Sequence, residues 1–338
     1  MGRPPDADVC PCYYHTIDRF SFAILNLTFT GRFHTLENAR KSFKSGFAGI
    51  FGKPNVGKST LLNRLIAEKV AAISNRPQTT RNKIRGVCHL PGGQIVLVDT
   101  PGIHQAATKY NQYMTRTSVS AVGDVDLTLF MIDAKTGFGP DDQYALDLMK
   151  SSRAPKVLII NKIDLISKPE ILTLIGGMAA KGDFAEIVPV SAELGDGLDR
   201  LKEVVVKYLP EGPEYFPKGT ATDCPEKFIL AEMIREKIMR LTHMELPHAT
   251  AVAVDSVRDG AGGVTVVEAT IYAEKDSQKK ILIGEKGSRL KAIGTAARKE
   301  IENRLGGKAY LNLFVKVRRN WRSDERAFKE FGYFDDSY

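Results

Sequence analysis

The chain has 338 residues and a formal net charge of +8, with 43% hydrophobic and 26% charged residues, the make-up of an ordinary globular protein of about two domains. No apolar run approaches the roughly 20 residues of a membrane-crossing helix, which argues against a helical span. Four cysteines, Cys10, Cys12, Cys88 and Cys224, are too few and too scattered for a disulfide framework, so a reducing, cytoplasmic setting is expected.

Residues 1–44 are irregular, with Pro4-Pro5, scattered aromatics and no sustained period. They lack a signal-peptide layout and read as a disordered extension or an overextended start of translation, with no function assigned. Met114 is the first methionine after Met1, so a later start would need a non-AUG codon. From 45 to 209, apolar strands alternate with amphipathic helices, which predicts an α/β fold with a mostly parallel sheet flanked by helices. Strands are expected at Phe47–Phe51, Ile95–Val98, Leu127–Ile132, Lys156–Ile160 and Ile187–Val190. Residues 210–220 are rich in Pro and Gly and read as a linker. A smaller α+β domain is expected over 221–338, opening with a helix over Pro225–Thr242 and strands over Thr250–Val257 and Gly263–Ala273.

Directly after the first strand stands Gly52-Lys53-Pro54-Asn55-Val56-Gly57-Lys58-Ser59-Thr60, followed by Leu61, Leu62, Leu65 and Ile66 at helical spacing. The glycines let successive N–H groups turn inward onto phosphate oxygens, above a positive helix N-terminus. Lys58 can reach the β- and γ-phosphates, and the Ser59 hydroxyl can ligate Mg²⁺. Alone, this loop binds a nucleoside triphosphate of either purine.

Four further segments narrow it. Asn161-Lys162-Ile163-Asp164 follows the strand ending at Ile160. The Asp164 carboxylate can accept from the ring N–H and the exocyclic amine of guanine, and adenine lacks that ring donor. Asn161 would tie this loop to the phosphate loop, and the Lys162 stem would cover the base. Asp99-Thr100-Pro101-Gly102 ends a strand, where Asp99 can hold Mg²⁺ through water and Gly102 can bring its N–H to the γ-phosphate. In Gln78-Thr79-Thr80-Arg81, Thr80 is favoured over Thr79 to complete the metal shell only while the γ-phosphate is present, which would make the loop a switch. The backbone of Ser191-Ala192 can contact the guanine oxygen.

Together these segments resemble the translation-factor-related GTPases, and the Era family closely, over about Lys44 to Tyr333. The resemblance rests on the Gly52–Thr60 loop, Pro77-Gln-Thr-Thr-Arg81, Asp99-Thr-Pro-Gly-Ile-His104, Asn161-Lys-Ile-Asp164 and the second domain; the extension at 1–44 departs from it. It implies GTP hydrolysis to GDP, with Mg²⁺, coupled to assembly of the small ribosomal subunit. Many small GTPases place a water-orienting glutamine after Asp-x-x-Gly, but Ile103 stands here and cannot hydrogen-bond. Relatives of the Era group instead recruit K⁺ with an asparagine equivalent to Asn55. Catalysis is then expected from Lys58, Thr80, Gly102 and Asn55 by positioning and charge neutralisation.

Between Ile271 and Asn320 there are thirteen Lys or Arg against five Asp or Glu, so this segment carries the whole net charge of +8 and points to a polyanionic partner. Within it, Gly284-Glu285-Lys286-Gly287 lies between apolar stretches and resembles the Gly-x-x-Gly loop of a type II KH domain, which clamps a nucleic-acid backbone. Lys286, Arg289, Lys291, Arg298 and Lys299 are candidate phosphate contacts, with Lys316, Arg318, Arg319, Arg322 and a base-stacking or packed Trp321 as an extension. The helix stripe Phe228, Ile229, Met233, Ile234 and Ile238, followed by Glu245-Leu-Pro247, reads as core. By resemblance the RNA is 16S rRNA near its 3′ end, the protein is a monomer, and peripheral contact with the inner face of the cell membrane is a family trait. Competing readings are a tRNA-modifying GTPase, which would need a reactive cysteine beyond Cys224, and a signalling protein or nucleotide sensor without catalysis, which Lys58, Ser59 and Asp99 argue against.

Overall fold

The computed structural model describes residues 43–331, apart from 75, 77, 78, 104–108, 151, 244 and 245, and these described residues belong to one compact unit. Cys10, Cys12 and the 1–42 stretch, with Pro77, Gln78, His104 and Glu245 of the quoted motifs, lie outside them. No helix among the described residues is long and apolar enough to cross a membrane.

Six strands form the first sheet: β1 (Lys44–Phe51), β2 (Ile84–Leu90), β3 (Gly93–Asp99), β4 (Leu127–Asp133), β5 (Lys156–Asn161) and β6 (Glu186–Pro189). Their order is β2-β3-β1-β4-β5-β6, all parallel except β2, which pairs antiparallel with β3. Alternate side chains of one strand enter different cores. Leu129, Met131, Val157 and Ile159 pack with helices α1 (Lys58–Ile66) and α5 (Leu198–Tyr208). Phe130, Ile132, Leu158 and Ile160 pack with α2 (Lys109–Gly123), α3 (Pro140–Leu148) and α4 (Lys168–Ala179). Burial on both faces is why these strands read as unbroken apolar runs. Strand order reverses about β1, so the loop leaving β1 opens at the crevice where such sheets take ligands.

The second sheet, β7-β8-β9, comprises β7 (Thr250–Asp259), β8 (Thr265–Ala273) and β9 (Ala309–Val317), with β7–β8 antiparallel and β8–β9 parallel. Against it pack α6 (Glu226–Leu241), α7 (Asp276–Ile283) and α8 (Ser288–Leu305), and the short α9 (Glu325–Glu330) ends the described chain. The α1/α5 core runs without a break into Ile229, Ile234, Ile238, Ile293 and Ile301 of this second layer.

The Pro/Gly stretch at 210–220 is pinned to the first sheet. Buried Gln94 donates to Phe216 O at 2.7 Å and accepts from Tyr215 N and Phe216 N at 2.9 and 3.1 Å. Ser45 Oγ donates to Pro213 O at 2.5 Å, and Val87 N donates to Ala221 O at 2.8 Å. A glutamine inside the sheet thus turns a spacer into an edge covering.

Candidate functional site

The loop from β1 to α1 curls because Gly57 lies at φ 102, and Asn55 joins it in the left-handed region at φ 64. A Cβ on Gly57 would stand 2.3 Å from Asn161 Nδ2, so any other residue would push apart the two loops that define the site. Lys58 lies folded inside the curl, buried, donating to Gly52 O at 3.1 Å and Lys53 O at 3.0 Å. Burial lowers its pKa to about 8, against the opposing pull of the Asp99 carboxylate. Pro54, Asn55, Gly57, Lys58, Ser59, Thr60, Thr80 and Gly102 line one cleft.

At the floor of this cleft the three residues expected to hold a metal meet. Ser59 Oγ donates to Asp99 Oδ2 at 2.7 Å and lies 2.7 Å from Thr80 Oγ1, which itself donates to Asp99 Oδ2 at 3.2 Å. The other carboxylate oxygen, Asp99 Oδ1, is buried without a partner. Burial raises the Asp99 pKa, while Lys58 and hydrogen bonds from Ser59, Thr80 and Thr100 oppose the rise. Two hydroxyls and a carboxylate with an unspent oxygen are the hard donors Mg²⁺ prefers, so these residues fit that ion. The Thr79 hydroxyl turns away to Arg76 O at 2.7 Å.

Asn161, 2% exposed, ties three segments together. Its Nδ2 donates to Val56 O at 2.7 Å, and its Oδ1 accepts from Ala192 N at 2.9 Å. The Ala192 N–H is thereby engaged with Asn161, and Ser191 Oγ accepts from Leu194 N at 3.1 Å. Lys162, at φ 65, donates to Asn55 O at 2.8 Å and Asp133 Oδ2 at 2.6 Å, while Ile163 donates its N–H to Val190 O at 3.3 Å. The Asp164 carboxylate is exposed beside this frame. Asp133 is a residue sequence reasoning missed; it ends β4 in register with Asn161, and that strand-end position was its signal. Asp142 was missed too: buried, it receives Lys53 Nζ at 2.7 Å.

Thr100 Oγ1 donates to Ile50 O at 2.8 Å and Ser118 Oγ donates to Pro101 O at 2.8 Å, so the segment after β3 is held from both sides. A Cβ on Gly102 would meet the Pro54 backbone at 2.8 Å. Ile103 donates its N–H to Gly52 O at 3.1 Å and buries its side chain in the α2/α3/α4 core. Its side chain therefore packs away from the cleft that Gly102 lines.

Beside the second sheet, α7 is capped by Gly284 (φ 73, ψ 177), and Lys286 and Gly287 turn the chain through φ 48 and 79 into α8. Glu285, Lys286 and Lys291 are exposed, with Arg298 and Lys299 further along α8. Arg289 is half-buried and donates to Ile281 O at 2.7 Å, capping α7. Of the two roles open to Trp321 the packed one holds, and the late basic extension narrows. Trp321 is fully buried, donates Nε1 to Ala249 O at 3.1 Å and packs edge-on against Phe328 and Phe331, so it has no face for a base. Arg318 pairs with Asp324 and Glu330, Arg322 with Glu274, and the exposed Arg319 with Asp276 at 3.7 Å, while Lys316 is exposed on β9.

A phosphate loop at the reversal point of a parallel sheet, an Asn-Lys-x-Asp frame beside it and a helix–Gly-x-x-Gly–helix unit define a P-loop GTPase joined to a KH fold. Comparison with known proteins agrees: the family described as 50S ribosome-binding GTPase matches residues 47–162, and the KH domain family matches 245–322. GTPase Era of Geobacter metallireducens is 52% identical over 292 residues, 86% of this chain and 98% of that protein. GTPase Era of Lactobacillus delbrueckii subsp. bulgaricus is 50% identical over 290 residues, 86% and 96% of the two chains. Among solved structures, a variant of Aquifex aeolicus Era bound to GDP and aluminium fluoride is 40% identical with a TM-score of 0.82, covering 86% of this chain and 99% of that one. Era in complex with MgGDPNP and nucleotides 1506–1542 of 16S ribosomal RNA is 40% identical with a TM-score of 0.83, at the same coverage. The chain belongs to the Era family of GTPases.

Proposed function

We propose that this protein is a GTP-hydrolysing, RNA-binding switch that serves assembly of the small ribosomal subunit, taking the 3′ end of 16S rRNA on its KH unit. The carrying observation is the Asn161 bridge, which locks the phosphate loop, the Asp164 loop and the Ser191-Ala192 loop into one guanine-nucleotide frame. One family description names the large subunit, but it covers only the GTPase half, whereas the RNA held by the solved relative is of the small subunit.

Lys58, released from the carbonyls of Gly52 and Lys53, would offer its ammonium to the β- and γ-phosphates. Ser59, Thr80 and Asp99 would hold Mg²⁺, which when bound neutralises phosphate charge. Gly102 has no side chain between its N–H and the phosphate, and the contact of Ile103 N with Gly52 O fixes that peptide against the phosphate loop. With the Ile103 side chain in the core, no glutamine-like group orients water from that position, and Asn55, exposed at the tip of the loop, is assigned to K⁺. Equal turnover in K⁺ and Na⁺, with Asn55→Ala neutral, would remove that assignment.

RNA binding is placed at the Gly284–Gly287 turn. Gly284 occupies a backbone region open essentially to glycine alone, and a Cβ there would lie 2.8 Å from Arg289 Cβ. Gly284→Asp is expected to weaken RNA binding at least tenfold and spare GTP binding, while Lys58→Ala abolishes phosphate release. Unchanged RNA affinity in the first variant would count against the clamp, and undiminished release in the second against the enzyme.

A further inference from the structure

Thr80 stands between two anchors that belong to the KH side of the molecule. On one side, the Thr79 carbonyl accepts from Arg235 Nη2 of α6. On the other, the Arg81 guanidinium reaches the KH side, donating to Thr250 O at 2.7 Å and Pro247 O at 3.1 Å and lying 5.7 Å from the Trp321 ring centroid. Arg235 is fully buried and held in place before it reaches the loop. Its Nε donates to Glu232 Oε1 at 2.6 Å, a second bond joins Nη2 to Glu232 Oε2, and Nη1 lies 3.3 Å from Met239 Sδ.

We propose that Arg235 is a positioning residue for the GTP reaction: from the KH helix it fixes the Thr79–Thr80 peptide so that the Thr80 hydroxyl stays on the Ser59–Asp99 pair. This rests on the reading of Ser59, Thr80 and Asp99 as the Mg²⁺ site. A planar fork clamped by a carboxylate at i−3 has little freedom left to lose, which suits it to setting the place of another group. The single rotatable ammonium of a lysine could pair with Glu232 or bond Thr79, but would not hold both in the same plane.

On the reading that Thr80 joins the metal only when a γ-phosphate is present, the signature is selective for nucleotide state. The test titrates Mg²⁺ against the full-length protein loaded with a fluorescent non-hydrolysable GTP analogue or with fluorescent GDP. It compares wild type, Arg235→Lys, the pair Glu232→Gln with Arg235→Met, and Thr80→Ala as the reference for losing that hydroxyl. Loss of a charge-assisted bond predicts that the analogue's Mg²⁺ midpoint rises roughly tenfold in both Arg235 variants, following Thr80→Ala, while the GDP midpoint stays put. Turnover should fall through kcat with KM little changed. An equal shift for both nucleotides, or none in the folded Arg235→Lys protein, overturns the proposal and leaves the GTPase reading standing. A wild type that binds neither guanine nucleotide takes both down.

Discussion

Replacing Asn161 with alanine tests the nucleotide frame at its narrowest point. The substitution removes a 2.7 Å bond to Val56 O and a 2.9 Å bond from Ala192 N, both at a residue 2% exposed. Each partner is then a buried polar group without its bond, at about 1–3 kcal/mol apiece. Without a ligand the loops can separate and hydrate those groups, so most of the penalty falls on rebuilding the frame around a nucleotide. A net cost of about 3 kcal/mol corresponds to a roughly 100-fold weaker Kd for GDP. Fluorescent GDP binding measures this directly, and thermal unfolding checks that the fold survives, since the sheet core is untouched. A Kd within about threefold of wild type would refute the view that Asn161 holds the site together.

Three other outcomes follow from the same geometry. Asp164→Asn replaces an acceptor by a donor, so guanine binding should fall at least 100-fold while xanthosine diphosphate gains, measured by competition; continued preference for GDP contradicts the assignment. Burial sets the Lys58 pKa at about 8, and the phosphates need its ammonium form, so GDP affinity is full below that pH and should fall about tenfold between pH 7 and 9; a flat profile contradicts it. Glu236→Ala strips a fully buried carboxylate from Ile73 N, Lys69 and Lys237 and should destabilise the protein by about 3–5 kcal/mol in urea unfolding. Burial pushes the Glu236 pKa up, but the Ile73 N–H and Lys69 outweigh it and hold it below the ordinary 4.5, so this stabilisation is present above pH 4.5 and lost as pH falls below it.

The nucleotide loops were legible in the sequence because their chemistry needs particular residue types at fixed offsets from strand ends. The parallel strands were legible because burial on both faces leaves an apolar run. β2 was not, since Ile84-Arg-Gly-Val-Cys-His-Leu90 is interrupted by Gly86, where a Cβ would sit 2.7 Å from Leu62 Cδ1. The charged side of α6 escaped for a different reason. Glu232, Arg235, Glu236 and Lys237 read as a solvated run, yet all are buried, because Arg235 and Glu236 meet Thr79, Ile73 and Lys69, more than 150 residues away in sequence, and Lys237 meets Glu300. For Trp321, stacking on a base and packing were both open in the sequence, and the enclosure by Phe328 and Phe331 decides for packing. Local pattern carries local chemistry; it cannot show which distant surface will cover a polar face.

That hidden face joins the GTPase and KH halves of the molecule. The loop carrying Thr80 is bonded to the KH side through Arg235 and Arg81, and Met114 of α2 packs with Trp321 and Phe328. The loop that carries Thr80 and the KH side therefore share one packed region. The most direct measurement is the affinity of a labelled oligonucleotide from the 3′ end of 16S rRNA for the protein loaded with a non-hydrolysable GTP analogue and with GDP. Tighter binding is expected in the analogue-loaded form, with loss of that binding in Gly284→Asp. Equal affinity in the two nucleotide states would contradict the switch.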